Sequence, residues 1–327
     1  MDLDLDDLLT KTSRTFALAI PLLPEPTRRA VSVAYLLFRV ADTFEDSTTW
    51  PREERLDALE TFVELLELSP AERSGEAKRL SAAWLDRPPV EHEGYLELLR
   101  ELPAVLAQLD ELAPAVKQLV VKHTVRTTEG MASVVARADE RGNLRLGSVR
   151  ELKDYCYIVA GIVGELLTEV FLHDSPSLAT QQRELEQRMR SFGEGLQLVN
   201  ILKDAGDDAV DGRVYLPPSV PRAELFALAR TDLEDATRRV VVHASLARDL
   251  GRVEVVGPAG RDNAAGLLGV VGEDDAVGDV GHPVRVDEAL EDLVLVDLAE
   301  VERLEERRVG LEAEVVADVD ERGEESQ

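Results

Sequence analysis

Basic residues, cysteine and aromatic side chains are all scarce in this chain of 327 residues. Lysine and arginine number 37 against 65 aspartates and glutamates, which gives a formal net charge of -28. This charge argues against nucleic acid as a partner and against simple electrostatic binding to an anionic membrane. One cysteine cannot build an internal disulfide framework, so we expect a cytoplasmic protein.

Long apolar runs and export signals are also missing from the sequence. No uninterrupted apolar run reaches the roughly 18 to 20 residues that a membrane span needs. The chain starts with MDLDLD, which has neither a basic n-region nor an apolar h-region, so we expect no signal peptide.

Apolar residues recur at helical spacing through most of the first 238 residues, with no convincing alternating strand. The pattern predicts an all-α bundle over residues 1–238, with an active site in its core. The predicted helices cover residues 5–20, 27–45, 94–109, 113–137, 149–172, 179–203 and 222–238, and a further helix opens after Trp50.

The segment QLVNILKDAGDDAVDGRVYLP, from Gln197 to Pro217, places several carboxylates on one helix face. Asp204 and Asp208 are spaced i and i+4, and Asp207 lies beside them. Like charges at this spacing repel, so the pattern indicates a cation, and Mg2+ binds carboxylates together with waters and substrate phosphates. The alternative is a solvated acidic helix end. Possible hydrogen-bonding partners on the same segment are Gln197, Asn200, Lys203 and Arg213.

A second acidic cluster lies earlier in the chain, at the end of the apolar helical run that includes Tyr35. Asp42, Glu45 and Asp46 have the same spacing, and Arg39 lies one turn upstream. Two such clusters predict two walls of one cavity, with metal ions and a bridging diphosphate between them. The alternative is coincidence in a very acidic chain.

Four segments together carry a family resemblance. They are SRTFAL from Ser13, DTFED from Asp42, YCYIVAGIVG from Tyr155, and the second acidic motif with its GRVYLP tail. In order and spacing they resemble the squalene and phytoene synthase family, the head-to-head prenyl transferases, and are closest to bacterial squalene synthases. The resemblance covers residues 10–238 and implies an isoprenoid-synthase-type helical bundle with a central active-site cavity.

The resemblance also implies roles for individual residues. Tyr155 would face the reacting carbons, and Asp42, Asp46, Asp204 and Asp208 would share the catalytic work with it. The implied Mg2+ ligands are Asp42, Glu45, Asp46, Asp204, Asp207 and Asp208. The implied contacts to the diphosphate or to NADPH are Ser13, Arg14, Arg39, Gln197, Asn200, Lys203 and Arg213. Lys203 stands where the family usually has arginine, and Asp207 where glutamate is usual.

The implied reaction joins two farnesyl diphosphates, or similar prenyl diphosphates, through a cyclopropyl diphosphate intermediate to squalene, with reduction by NADPH. Phytoene or dehydrosqualene, formed without reduction, is the alternative product. The apolar product would add peripheral membrane contact. A head-to-tail prenyl transferase is disfavoured because both of its acidic motifs would read D-D-x-x-D. A different class stays open, namely an inactive truncated synthase or an acidic divalent-ion binder.

Two further stretches have more than one interpretation. Ala160, Gly161 and Gly164 form a strip of small residues that would serve either close helix packing or an isoprenoid chain. Residues 239–327 form an acidic tail rich in Gly, Val and Asp, beyond the last aromatic residue, Phe226. We interpret this tail as an out-of-frame reading of a GC-rich gene or as an acidic, partly disordered extension. The synthase domain, residues 1–238, would then be incomplete at its C-terminus.

Overall fold

The computed structural model describes residues 3–13, 16–139, 143–210 and 212–234. Arg14 and the tail predicted for residues 239–327 lie outside the described residues. The helices are α1 (Leu5–Thr12), α2 (Phe16–Ala19), α3 (Thr27–Glu45), α4 (Arg52–Glu67), α5 (Pro70–Asp86), α6 (Glu93–Glu111), α7 (Pro114–Val135), α8 (Val149–Cys156), α9 (Ile162–Asp174) and α10 (Gln182–Val210). Residues 222–234 are also helical. The all-α prediction is therefore confirmed.

Helix α5 was not among the predicted helices, and α10 continues to Val210 beyond the predicted end at residue 203. Three local features also differ from the sequence prediction. The helix predicted over residues 5–20 breaks at Ser13, whose Oγ accepts the backbone N–H of Phe16 at 2.9 Å and so caps α2. The helix predicted over residues 149–172 is interrupted by a π-helical turn, Tyr157–Gly161. Two short strands, β1 (Leu144–Arg145) and β2 (Arg213–Val214), pair in parallel.

Helix α3 runs through the centre of the bundle and contacts α1, α4, α6, α7 and α9. Neighbours on several sides explain why it is apolar around most of its circumference. Near its C-terminal end, Phe44 packs against Trp50, Phe62 and Trp84 with ring centroids 4.6 to 6.1 Å apart. Because both tryptophans of the chain join this cluster, it holds the end of α3 firmly in place.

Glycines bring α9 and α10 into backbone contact. A Cβ on Gly164 would lie 2.0 Å from the carbonyl oxygen of Met189, and a Cβ on Gly193 would lie 2.2 Å from that of Ala160. The small-residue strip therefore serves close helix packing. The alternative expectation, that the strip leaves room for an isoprenoid chain, is wrong at Gly164 because α10 fills that space.

One helical stretch of the described residues is long and apolar enough for a membrane span by length and composition alone. It covers Val149–Asp174, in which the most apolar 18-residue window has a mean hydropathy of 1.6 and is half buried in the bundle. The sequence reading found no uninterrupted run of this kind. Since a buried core helix passes the same test, the stretch is weak evidence for membrane insertion.

Candidate active site

Both acidic clusters lie at the C-terminal ends of their helices. Asp42 and Glu45 occupy the last turn of α3 and Asp46 is its C-cap, while the second cluster, Asp204 to Asp208, occupies the last turns of α10. A helix C-terminus carries partial negative charge, and acidic residues there add to it instead of offsetting it. Both helix ends therefore favour a bound cation.

Arg213 joins the two clusters. Its Nη1 lies 3.1 Å from Asp46 Oδ1 and 3.2 Å from the Asp46 carbonyl oxygen, and its Nη2 lies 3.6 Å from Asp208 Oδ1. The Arg213 side chain is only 16% exposed. The two acidic clusters predicted to face one another are thus neighbours, and a guanidinium lies between them.

The short parallel sheet determines where Arg213 lies. The register pairs Leu144 with Arg213, and the Leu144 N–H donates to the carbonyl oxygen of Gly212 at 3.0 Å. Gly212 has a φ of +80°, and a Cβ there would lie 2.1 Å from Asn143 Oδ1. Only glycine fits this position comfortably, so the Gly-Arg pair of the motif has a local structural reason.

Arg39 is held beside Asp42 by two tyrosine rings. Its guanidinium lies 5.6 Å from the ring centroid of Tyr35 and 5.5 Å from that of Tyr95, and its Nη1 lies 3.3 Å from Asp42 Oδ2. Burial raises the pKa of Asp42 to about 6, although Arg39 acts in the opposite direction. The Arg39 Nε is buried and finds no hydrogen-bond acceptor among the described residues. An anionic oxygen would satisfy this donor.

Glu45 differs from its two acidic neighbours because it is buried, with 4% exposure. Its Oε1 accepts a hydrogen bond from the Tyr155 hydroxyl at 3.2 Å, and Arg55 Nη2 donates to its carbonyl oxygen. Burial and then the nearby Asp46 and Asp42 raise the pKa of Glu45. Burial and then Glu45 likewise raise the pKa of Tyr155. Tyr155 is therefore a neutral phenol in contact with the first acidic cluster.

Sequence reasoning assigned no role to three residues that complete this arrangement. Tyr215 stacks on Tyr155, Arg55 supports Glu45, and Tyr95 covers Arg39. Tyr215 had a signal in the sequence, since it belongs to the GRVYLP tail. Arg55 and Tyr95 had none, because they lie on other helices, α4 and α6, and belong to no motif of recognisable spacing.

The other predicted residues lie around this centre. Gln197 is half-buried, and Asn200, Lys203, Asp204 and Asp207 are exposed. The three charged side chains among them, Lys203, Asp204 and Asp207, form no ion pair with another residue of the described part of the chain. Ser13 remains a helix cap in the structure.

The arrangement suits a cation with few protein ligands. Among the described residues, no three acidic, histidine or cysteine side chains converge on one point. Mg2+ needs no such cage, because it commonly takes one or two carboxylates and completes its shell with water and phosphate oxygens. A cavity of about 50 Å3 lies between Asp208, Arg213 and Tyr215. A wider surface depression of about 510 Å3 lies near Asp4 and Arg28 and contains none of the predicted site residues.

Solved structures of related proteins share this fold. Two complexes of TcSQS, with the ligands E5700 and BPH1237, superpose with TM-scores of 0.53 and 0.52 at 24% and 23% identity. Each superposition covers 72% of this chain and 68% of TcSQS. At this identity the likeness establishes the all-α architecture.

The sequence places the chain in a family. The family model for squalene/phytoene synthases matches residues 9–264, so the chain belongs to that family. The match runs past residue 238, where the resemblance of the motifs ends.

Squalene synthases of fungi are among its relatives. Those of Eremothecium gossypii and Schizosaccharomyces pombe are 32% and 29% identical to it over 217 and 216 residues, which is 65% of this chain in both cases. The aligned region is 45% and 43% of their own lengths, so the chain spans less than half of these relatives.

Proposed function

We propose that this chain is a Mg2+-dependent prenyl transferase that condenses two farnesyl diphosphates head to head. The observation that carries the proposal is the approach of two acidic helix ends, α3 and α10, on either side of Arg213. Membership of the squalene/phytoene synthase family supports the same reaction class.

The first acidic helix end and Arg39 receive the ionising diphosphate. Asp42 and Asp46 would bind Mg2+ from the end of α3, and Asp204 and Asp208 would bind it from the end of α10. Mg2+, when bound, neutralises the charge that develops on the diphosphate as its C–O bond breaks. The unsatisfied Nε of Arg39 donates to a phosphate oxygen.

Tyr155 acts from inside the bundle. Its hydroxyl hydrogen is directed to Glu45, and burial favours the neutral phenol. A neutral hydroxyl beside the carbocation orients the allylic carbons without being alkylated as a phenolate would be. Glu45 keeps the phenol in one rotamer, so Glu45 serves to position Tyr155 more than to bind metal.

Squalene, formed with NADPH, is the proposed product, because the relatives compared above are squalene synthases. Dehydrosqualene or phytoene is the alternative within the family. The second candidate is a synthase core that binds metal and diphosphate without turnover, since Asp46, Asp208 and Arg213 would serve such binding equally well.

The test is incubation of the purified full chain with farnesyl diphosphate and Mg2+, with and without NADPH, followed by mass analysis of the products. Squalene formed only with NADPH supports the proposal, and dehydrosqualene formed in both conditions assigns the alternative product. Asp208→Asn should abolish turnover, whereas Asp57→Asn, at an exposed position of α4, should not. Binding of inorganic diphosphate without any product would support the binding core.

A further inference from the structure

Arg213 occupies the position between the acidic clusters where a positive charge is most favourable. Its two terminal nitrogens divide between the clusters, with Nη1 at Asp46 and Nη2 at Asp208. The side chains of Arg213 and Asp208 are 16% and 18% exposed, so water and salt screen their ion pair less than they screen a surface pair. The Asp46 side chain is 51% exposed, so its ion pair with Arg213 is screened more. The guanidinium therefore neutralises part of the charge that a metal ion would otherwise neutralise.

We propose that Arg213 is an internal counter-cation that keeps the acidic clusters together and blocks the metal until a diphosphate draws the guanidinium away. This inference rests on the proposed function, since it concerns the order in which the same site takes its ligands. A divalent ion and the guanidinium cannot both hold Asp46 Oδ1 and Asp208 Oδ1 in their present positions. A diphosphate offers Arg213 two oxygens in a bidentate arrangement that matches the guanidinium.

The consequence is a thermodynamic coupling between metal and diphosphate. A metal ion that binds alone must displace the Arg213 guanidinium from Asp46 and Asp208, so these two ion pairs are lost. Metal that arrives with diphosphate meets an arginine that has a new anionic partner. Each ligand therefore strengthens the binding of the other, by the same factor in both directions.

Three pieces of local structure make Arg213 suitable for this role. Gly212, with its positive φ, lets the chain turn directly before it, and the β1–β2 pair fixes its backbone. Its contact with the Asp46 carbonyl oxygen attaches it to the end of α3 as well as to a side chain. The side chain can thus move between partners while its Cα stays in place.

The experiment measures Mn2+ affinity of the full chain by electron paramagnetic resonance, without and with inorganic diphosphate. Arg213→Met should strengthen binding of Mn2+ alone about fivefold or more, because the half-exposed Asp46 and the partly buried Asp208 both lose their competing cation. The same variant should weaken the response of Mn2+ affinity to diphosphate. Arg213→Gln serves as a second variant, and circular dichroism with thermal melting verifies that both fold.

Arg100→Met is the matched control for charge. Arg100 is exposed on α6, outside the predicted site, and forms no ion pair with another residue in the described ranges. Its removal changes the net charge by the same amount as Arg213→Met. Mn2+ affinity without diphosphate should change less than about twofold, since an exposed charge acts weakly through water.

The outcomes separate this inference from the proposed function. If wild type binds Mn2+ with diphosphate but Arg213→Met binds Mn2+ alone no better than wild type or Arg100→Met, the counter-cation role is wrong and the proposed site stands. If neither wild type nor either arginine variant binds Mn2+ in the presence of diphosphate, the inference and the proposed metal site both fail.

Discussion

The hydroxyl oxygens of Tyr155 and Tyr215 lie 3.2 Å apart, and their rings stack with centroids 4.7 Å apart at an angle of 17°. Each phenol has one hydrogen to donate. The Tyr155 hydroxyl is the donor toward both neighbours, since its single hydrogen faces the Tyr215 hydroxyl oxygen and Glu45 Oε1, each 3.2 Å away. The segment that follows Arg213 is thereby joined through the interior to the end of α3.

Removing the Tyr215 hydroxyl should weaken this connection without emptying the core. For Tyr215→Phe we expect a loss of about 0.5–1.5 kcal/mol in the free energy of unfolding, because one buried hydrogen bond is lost and the stack remains. Urea denaturation followed by circular dichroism measures the loss. Tyr95→Phe is the control, since the Tyr95 hydroxyl makes no hydrogen bond to another described residue. Equal stability of both variants and wild type would show that the tyrosine pair contributes nothing measurable.

The same residues show how far sequence could predict this site. The end of α3 was predictable, because helical periodicity and the spacing of Asp42, Glu45 and Asp46 are local properties. The partners of those carboxylates were not, because Tyr215 reaches Tyr155 only after β1 and β2 pair Leu144 with Arg213 over a long sequence separation. The π-helical turn after Cys156 was also missed, because it leaves the apolar pattern of the helix almost unchanged.

The contact between α9 and α10 should tolerate no side chain at Gly164. Gly164→Ala would place a Cβ 2.0 Å from the Met189 carbonyl oxygen, so the backbones must separate and core packing is lost. We expect a loss of at least about 1–3 kcal/mol, as for overpacking of other cores. Gly75→Ala in α5 is the matched control, because nothing lies within 4 Å of its new Cβ.

In contrast with Gly164, the Gly75 variant should gain about 0.5–1 kcal/mol, since alanine favours a helix interior over glycine. Thermal melting of both variants measures the expected loss of stability for Gly164→Ala and the expected gain for Gly75→Ala. A stability gain at Gly164 would contradict the close packing of α9 on α10.

Arg73 connects the end of α4 to α6 and should be costly to remove. It is 5% exposed, and its Nη1 lies 2.8 Å from Asp110 Oδ1. Its other nitrogens donate to the carbonyl oxygens of Leu65, Leu66 and Leu68. Arg73→Met should cost roughly 3 kcal/mol, because the three carbonyl oxygens lose their donor and Asp110 keeps only Lys117, whose Nζ lies 3.7 Å away.

Arg79→Met is the matched control for Arg73, on the same helix. Arg79 is 63% exposed and pairs with Glu76, so its loss should change stability little in urea denaturation. Similar losses for both variants would show that the buried network around Arg73 carries no special stability.

His123 should make the stability of the fold fall in mild acid. Burial lowers its pKa below the usual 6.5, although Glu169 acts in the opposite direction. Its Nδ1 lies 3.0 Å from Arg126 Nη1 and its Nε2 3.3 Å from Glu169 Oε1, which suits a neutral ring with the proton on Nε2. The charged groups that face it are Glu169 from α9 and Lys122 and Arg126 from α7.

The direction in which stability changes with pH follows from the lowered pKa of His123. As the pH falls through about 6.5, the unfolded chain binds a proton on this ring before the folded chain does, so stability is lost on acidification. His123→Gln lacks this proton, and the stability of wild type relative to the variant should therefore decrease from pH 7.5 to pH 5.5. Urea denaturation at both pH values gives the difference, in which titrations common to both proteins cancel. A difference between wild type and His123→Gln that stays constant or grows on acidification would mean that the buried ring accepts a proton as readily as the unfolded one.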